Sequence, residues 1–167
     1  FTAFDMKRSM DFGMHFTATQ RHIDYIQQLN GLDVGQSWFT FKGFLNIKNP
    51  YRMPDFNLWK TDEVLNYMVE DGIITREEIS SWGAMEHDTQ AVYERIVQYL
   101  EDQGYDGIVY KNIGEDRLAQ RAMMRPEGEI PINPADVWAE NNNPPEDSWV
   151  SFKPVQFKSV LNDGGYD

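Results

Sequence analysis

The sequence contains no cysteine in its 167 residues, which excludes disulfide bonds and thiolate metal sites. Its three histidines, His15, His22 and His87, are scattered, and no two of them have the spacing of a helical zinc-binding pair. The sequence also lacks a glycine-rich phosphate-binding loop and a Gly-x-Ser-x-Gly motif. These absences argue against metallohydrolases, nucleoside triphosphatases and serine hydrolases.

Basic residues are scarce as well. The chain has 15 Lys and Arg residues against 27 Asp and Glu residues, which gives a formal net charge of -12. Tight nucleic-acid binding depends on neutralising phosphates, and a polyanion is poorly suited to that task. The charge fits either simple solubility or an acidic surface that meets a basic protein partner. No apolar run approaches the roughly 20 residues of a membrane-spanning helix, so we expect no membrane partner.

The length favours a single domain, residues 1–167, with one insert. The stretch from Gly114 to Pro145 holds five of the eight prolines and ends in a run of Asn and Pro. We interpret it as a flap-like insert because it shows no core pattern of its own. The chain opens on Phe1 rather than Met, so we expect a fragment or a processed piece.

Hydrophobic periodicity predicts about four strands separated by helices of unequal length. The predicted strands are Met14–Thr17, Trp38–Lys48 (ended by Asn49-Pro50), Tyr105–Tyr110 and Trp149–Pro154. Three predicted helices run from about Thr19 to Leu29, from Thr61 to Gly72 and from Thr89 to Gly104. A fourth, short helix is predicted to begin at the capping-box sequence Thr75–Glu78. The irregular order favours an α+β fold with a small, mostly antiparallel sheet.

We expect the predicted last strand to form the floor of a nucleotide-binding cleft and the rest of the chain to form its walls. Four residues are candidates for this cleft, and each has a structural and a functional interpretation. His15 is either a hydrogen-bonded histidine that lines the sheet or a donor to a ligand hydroxyl or carbonyl. Tyr25 either packs its helix on the sheet or stacks on a flat ligand. Glu146 and Asp147 are either solvated loop carboxylates or groups that stabilise an oxocarbenium-like centre, as in glycosidic bond cleavage.

Four segments of the sequence follow one another in a familiar order. They are Gly13–Thr17, Leu45–Pro50, Gly104–Asn112 and Asp147–Ser159, the last followed by Asn162 and Gly164. Together they resemble the ADP-ribosyltransferase-like toxin domains of phage and prophage polyvalent proteins and related bacterial effectors. The resemblance covers nearly the whole chain apart from the insert. It implies a split β-barrel of two small, mostly antiparallel sheets with flanking helices and with NAD+ bound between the sheets.

The resemblance also implies a reaction and a set of site residues. Such domains cleave the nicotinamide–ribose bond of NAD+ and transfer ADP-ribose to a macromolecule, for which a protein acceptor suits this charge better than nucleic acid. It further implies a possible immunity protein and a phage-encoded or injected effector that acts in a bacterial cytoplasm. The residues so implied are His15, Glu146 and Ser148 as catalytic groups, and Phe16, Thr17, Tyr25 and Gln156 as cofactor-binding groups.

The sequence departs from the family pattern in two places. The family's first motif, a His or Arg before Gly-Thr or Gly-Ser, is missing, and we expect it upstream of Phe1. The family's third motif presents Glu or Gln where this chain has Ser148, a neutral hydroxyl that supplies no charge to a developing cation. Two alternatives therefore stay open: a catalytically degenerate barrel that serves as a phage structural or protein-interaction module, and a nuclease-type toxin, which the acidic charge disfavours.

Overall fold

A computed structural model describes residues 12–18, 23, 42–56, 58–83, 89–113 and 146–160. Several expectations lie outside these residues: Tyr25, the insert Gly114–Pro145, the first residues of the strand expected from Trp38, and the helix expected from Thr19 to Leu29, of which only Ile23 is described and helical.

The described chain has an α+β fold in which strands and helices do not alternate regularly. In chain order its elements are β1 (Met14–Thr17), β2 (Gly43–Leu45), β3 (Pro50–Met53), α1 (Thr61–Glu70), α2 (Arg76–Ser81), α3 (Thr89–Asp102), β4 (Gly107–Lys111), β5 (Asp147–Ser151), a 3₁₀ turn (Pro154–Gln156) and β6 (Phe157–Ser159). The predicted α+β class is confirmed.

The strands form two small sheets. The larger sheet has the order β1-β5-β4-β3, and the smaller one pairs β2 with β6. Among the described strands, only the β3–β4 pair is parallel, so the predicted mostly antiparallel pairing is confirmed. The sheets meet where Phe16 of β1 stacks on Phe157 of β6, with ring centroids 5.0 Å apart. Within the described residues the strands do not close into a barrel.

Several strand predictions are wrong. The strands predicted at Tyr105–Tyr110 and Trp149–Pro154 are β4 (Gly107–Lys111) and β5 (Asp147–Ser151), and β3 and β6 were not predicted. The Asn49-Pro50 pair was expected to end a strand that reaches Lys48, but β2 ends at Leu45 and Pro50 is the first residue of β3. Proline lacks an N–H donor, yet it is tolerated as the first residue of a strand at the edge of a sheet. The β3 strand is such an edge strand.

The helices cover one side of the larger sheet. The helix residues that face the sheet are fully or almost fully buried: Val64, Met68, Tyr93, Ile96 and Leu100. They belong to one core cluster with the sheet residues Tyr51, Met53, Ile108, Tyr110 and Val150. The capping box predicted at the start of α2 is confirmed, because the Thr75 hydroxyl accepts from the Glu78 amide and the Glu78 carboxylate accepts from the Thr75 amide.

Asp106 links its own segment to two of the other three segments that carry the family resemblance, one through its carboxylate and one through its backbone carbonyl oxygen. Asp106, just before β4, accepts from the backbone amides of Lys48 and Asn49 at 2.7 and 2.8 Å. The Asn49 side chain donates to Gly104 O at 2.9 Å, and the Gln156 side chain donates to Asp106 O. These contacts give Asp106, Asn49 and Gln156 structural roles that require no ligand.

Gly107, the first residue of β4, is required by close packing. A Cβ atom there would lie 2.8 Å from both Ile47 Cδ1 and the Val150 carbonyl oxygen. We expect Gly107→Ala to lower the free energy of unfolding by about 2 kcal/mol, because the backbone oxygen cannot move aside cheaply. Urea denaturation measures this, and Gly72→Ala is the comparison. A Cβ atom at Gly72 would meet open space, but the φ of +76° is strained for alanine, so this variant measures backbone strain without a packing clash. An unchanged midpoint for Gly107→Ala would contradict the packing argument.

Candidate functional site

The sequence-predicted site residues divide between the two faces of the larger sheet. In the antiparallel register, His15 lies opposite Val150 and Thr17 lies opposite Ser148. Because side chains alternate along a strand, His15, Thr17 and Ser148 share the face that packs on the helices. Phe16 points to the other face, where it meets Phe157 of the smaller sheet. We call the helix-side surface formed by His15, Thr17 and Ser148 the His15 face.

His15 is the exposed member of the His15 face. Its Nδ1 atom lies 3.3 Å from the hydroxyl of Tyr110, whose side chain is buried. The rings of Trp59 and Tyr110 approach the imidazole edge-on, with centroids 6.1 and 6.2 Å away. Trp59 itself has a φ of +48°, which is uncommon for a bulky residue, and it is buried in the aromatic cluster of the core. A solvent-facing imidazole thus rests on a packed aromatic base.

Ser148 is buried, with 1% of its surface exposed, so it is not open to a ligand in this structure. Its hydroxyl accepts from the side-chain amide of Asn112, which is 2% exposed, at 3.1 Å. The Asn112 backbone amide donates to Glu146 O, and this bond extends the β4–β5 pairing by one residue. The alternation therefore places Glu146 on the same side as Ser148.

Glu146 is half-buried, and no described residue forms a hydrogen bond or ion pair with its carboxylate. Asp147, the next residue, has two such partners on the opposite face. Of the two acidic residues, Glu146 is thus the one that strand alternation places on the helix side of the sheet.

Asp147 belongs to a charged cluster with Arg52 and Lys111. Its carboxylate accepts from both terminal nitrogens of Arg52, at 3.2 and 3.0 Å, and lies 3.2 Å from Lys111 Nζ. Hydrogen bonding to Arg52 is the main reason that the pKa of Asp147 is lowered. Two cations neutralise this carboxylate, which suits a structural ion pair better than the stabilisation of a developing positive charge.

This cluster leads to a prediction about pH. An acid whose pKa is lowered by folding contributes stability above its unfolded pKa and loses that contribution as the pH falls through the folded value. We therefore expect the stability of the wild type to decline more steeply below about pH 4 than that of Asp147→Asn. Urea midpoints at pH 7, 5 and 3 measure this. Arg52→Gln should flatten the profile in the same way, and parallel profiles for all three proteins would contradict the assignment.

The remaining residues predicted from the sequence to bind the cofactor are Thr17, Gln156 and Tyr25, and they lie in different surroundings or outside the described residues. Thr17 is half-buried opposite Ser148. Gln156 is buried, and its side chain accepts from Ser151 Oγ and Lys153 N and donates to Asp106 O. These contacts give Gln156 a structural role at Asp106, and its cofactor-binding role stays a prediction. Tyr25, expected to stack on a ligand ring, lies outside the described residues.

Sequence reasoning missed three residues that shape the His15 face: Tyr110, Asn112 and Trp59. Tyr110 and Asn112 fall in the Gly104–Asn112 segment, and their spacing of two places both on one side of the chain. That spacing was the available signal, but the partners to which they bond lie on other strands. No sequence signal points to Trp59.

The chemistry open to this face is hydrogen bonding by an imidazole together with one carboxylate. The Ser148 hydroxyl is bonded to an amide rather than to a histidine base, so the arrangement is not that of an activated serine nucleophile. Within the described residues no group of acidic and histidine side chains is arranged to hold a metal ion. In the same part of the chain, no helix has both the length and the apolarity needed to cross a membrane.

Comparison with known proteins found no significant match to any family model, curated protein or solved structure.

Proposed function

We propose that this chain is an ADP-ribosyltransferase-like domain that binds NAD+ at the His15 face and transfers ADP-ribose to a protein. The observation that carries the proposal is the convergence of the segments that resemble the family. β1, β4 and β5 lie side by side, although up to 137 residues separate Met14 from Ser151, and β6 meets β1 through Phe16 and Phe157. The split barrel implied by the resemblance is part of the same proposal. The proposed NAD+ site differs from the one that the resemblance implies: it lies on the helix side of the larger sheet rather than between the two sheets, because His15 and Ser148 are on the face opposite to Phe16 and Phe157.

The local chemistry supports a ribose- or amide-binding role for the exposed histidine. An imidazole held on an aromatic base can donate to, or accept from, a ligand hydroxyl or carboxamide without paying for large side-chain reorganisation. Glu146 supplies the negative charge that an oxocarbenium-like centre needs, and it stands on the same side of the sheet as His15. Thr17 adds a hydroxyl beside this pair. Tyr25 remains the proposed stacking partner of the nicotinamide ring.

A second candidate function is a non-catalytic interaction module, and the burial of Ser148 favours it. The position where the family presents Glu or Gln holds a neutral side chain that is 1% exposed and bonded to Asn112. Asp147, the adjacent acid, lies on the opposite face and is paired with two cations. In this alternative the domain is retained for protein contacts and releases no nicotinamide.

Two measurements test the proposal. Isothermal titration with NAD+ should show saturable binding, and the assay for nicotinamide should show its release when a bacterial lysate supplies acceptors. Mass spectrometry of the lysate should then find an added ADP-ribose on protein. Because the family's first motif is missing from residues 1–167, a version of the chain extended upstream is tested beside this one. The absence of NAD+ binding in both versions would overturn the proposal, and binding without nicotinamide release or ADP-ribosylated protein would establish the interaction module instead.

A further inference from the structure

We propose that the outer edge of β2 binds an extended, acidic segment of a partner protein, which adds to the smaller sheet as a third strand. The smaller sheet lies against the side of the larger sheet that is opposite to the His15 face, where Phe157 of β6 meets Phe16 of β1. The proposal therefore goes beyond the proposed function, and it does not depend on whether the His15 face binds NAD+.

Backbone bonds on either side of β2 fix the direction in which its polar groups point. Val160 N donates to Lys42 O, and Asn46 N donates to Gln156 O. In an antiparallel pair, every second residue of a strand bonds to the partner strand, and the residues between them do not. Phe44, midway between Lys42 and Asn46, is thus the residue of β2 whose amide and carbonyl groups turn towards β6.

Gly43 and Leu45 form the outer edge of β2. Their amide and carbonyl groups point away from β6, and no other strand in the described part of the chain pairs with this edge. Such an edge is a template for a further strand. Addition of a peptide strand to a sheet edge is a recurrent mode of recognition, in which backbone bonds give affinity and alternate side chains give specificity.

The two faces of the smaller sheet have different surroundings. A Cβ atom at Gly43 would clash with the ring of Phe157, which itself stacks on Phe16 of β1, so this face turns towards the larger sheet. Side chains alternate along a strand, so Phe44 is on the other face, together with Val160. Phe44 is 64% exposed and Val160 is 56% exposed. The outward face therefore presents two large apolar side chains to solvent.

The outward face also carries lysines. Lys158 lies opposite Phe44 in the register, and Lys42, which is exposed, lies opposite Val160. Neighbours on one face of adjacent strands interact through their side chains. A strand added beside β2 would therefore match this face if every second residue were acidic or apolar in turn, with an acid near Lys42 and an apolar residue near Phe44.

The charge of the region decides the kind of partner. The segments around the smaller sheet, residues 42–49 and 151–160, contain four lysines and no Asp or Glu, whereas the whole chain has a net charge of -12. Electrostatic interactions are screened beyond about 10 Å at 0.1 M salt, so a short acidic peptide would interact mainly with these lysines. A nucleic acid or an anionic membrane would extend further and meet the acidic remainder of the chain. A short acidic strand is therefore the partner that fits.

The test uses a fluorescein-labelled peptide of sequence Glu-Thr-Phe-Thr-Glu-Thr-Val-Thr-Glu, with fluorescence anisotropy as the readout. We expect saturable binding that weakens as salt is raised, and no binding of the same peptide with Lys in place of Glu. Lys42→Glu and Phe44→Ser should each weaken binding about 5-fold or more. Lys60→Glu and Leu58→Ser are the matched controls, because they make the same changes at exposed positions outside the smaller sheet, and they should leave binding unchanged.

Two further measurements test strand addition itself. Leu45→Pro removes an amide that points away from β6 and should abolish binding, whereas Leu45→Ala keeps the amide and should retain binding. In NMR spectra of the wild type, the peptide should shift the amide signals of Gly43 and Leu45. Unchanged signals, or equal binding by the two Leu45 variants, would overturn strand addition.

Other results would identify a different occupant of the edge. Failure of the acidic peptide to bind would overturn the proposal, and so would tighter binding of a single-stranded RNA or of vesicles that contain phosphatidylserine. A concentration-dependent dimer that is lost in Phe44→Ser would show that a second copy of the chain covers the edge, and it would overturn the choice of partner. These outcomes are separate from the NAD+ titrations, so a failure of the proposed function leaves the result for the β2 edge unchanged.

Discussion

Glu146→Gln is expected to lower the rate of nicotinamide release by about 100-fold while leaving the affinity for NAD+ nearly unchanged. The carboxylate would act on the positive charge that develops as the nicotinamide–ribose bond breaks, and one well-aimed group of this kind contributes about 3 kcal/mol. Glutamine keeps the shape and loses the charge, so the interaction is lost mainly in the transition state. Steady-state nicotinamide release and NAD+ titration measure the two quantities separately.

The matched control for this prediction is Asp147→Asn. It removes a neighbouring carboxylate on the opposite face of the sheet, where Arg52 and Lys111 neutralise it. We expect its effect on turnover to stay below about 2-fold, because a charge already balanced by two cations has little influence across the sheet. Equal losses of turnover in Glu146→Gln and Asp147→Asn would contradict the assignment of the carboxylate to the His15 face.

The helices could be predicted from the sequence because their signals are local. Val64 and Met68, four residues apart, mark the buried stripe of α1, and the Thr75–Glu78 capping box marks the start of α2. The β3 strand could not be predicted in the same way. It is four residues long and begins at Pro50, and its alternating Tyr51 and Met53 are stabilised by pairing with β4, more than 50 residues later. Such a strand is defined by its partner rather than by its own sequence.

The candidate site shows the same division between local and distant information. The alternation along β5 is local, and it is enough to place Glu146 and Ser148 on one side and Asp147 on the other. The burial of Ser148 is not local, because it depends on Asn112 of a different segment. The family resemblance, not the local sequence, is the source of the roles proposed for Glu146 and Ser148. Whether each side chain is open to solvent depends on the pairing of β4 with β5.

That burial leads to the prediction with the largest effect on stability. Ser148→Glu, which introduces the residue type that the family presents, should lower the free energy of unfolding by about 3 kcal/mol or more at neutral pH. The position is 1% exposed, so the new carboxylate would be buried without a cation, and the longer side chain would also overpack the site. We expect no gain in nicotinamide release. Urea denaturation and the release assay measure both outcomes.

Two comparisons separate the causes of this loss. Ser148→Ala removes only the acceptor for Asn112 and should cost about 1–2 kcal/mol, with little dependence on pH. The charge part of the Ser148→Glu penalty should shrink as the pH falls from neutral towards about 4, because the buried carboxyl has a raised pKa and takes up a proton in the folded state first. Below about 4 the carboxyl is neutral in both the folded and unfolded states, and only the overpacking part of the penalty should remain. A Ser148→Glu protein with wild-type stability and faster nicotinamide release would contradict the structural role of Ser148. Position 148 would then face the ligand, and the loss of its carboxylate in this chain would be the reason for any weak activity.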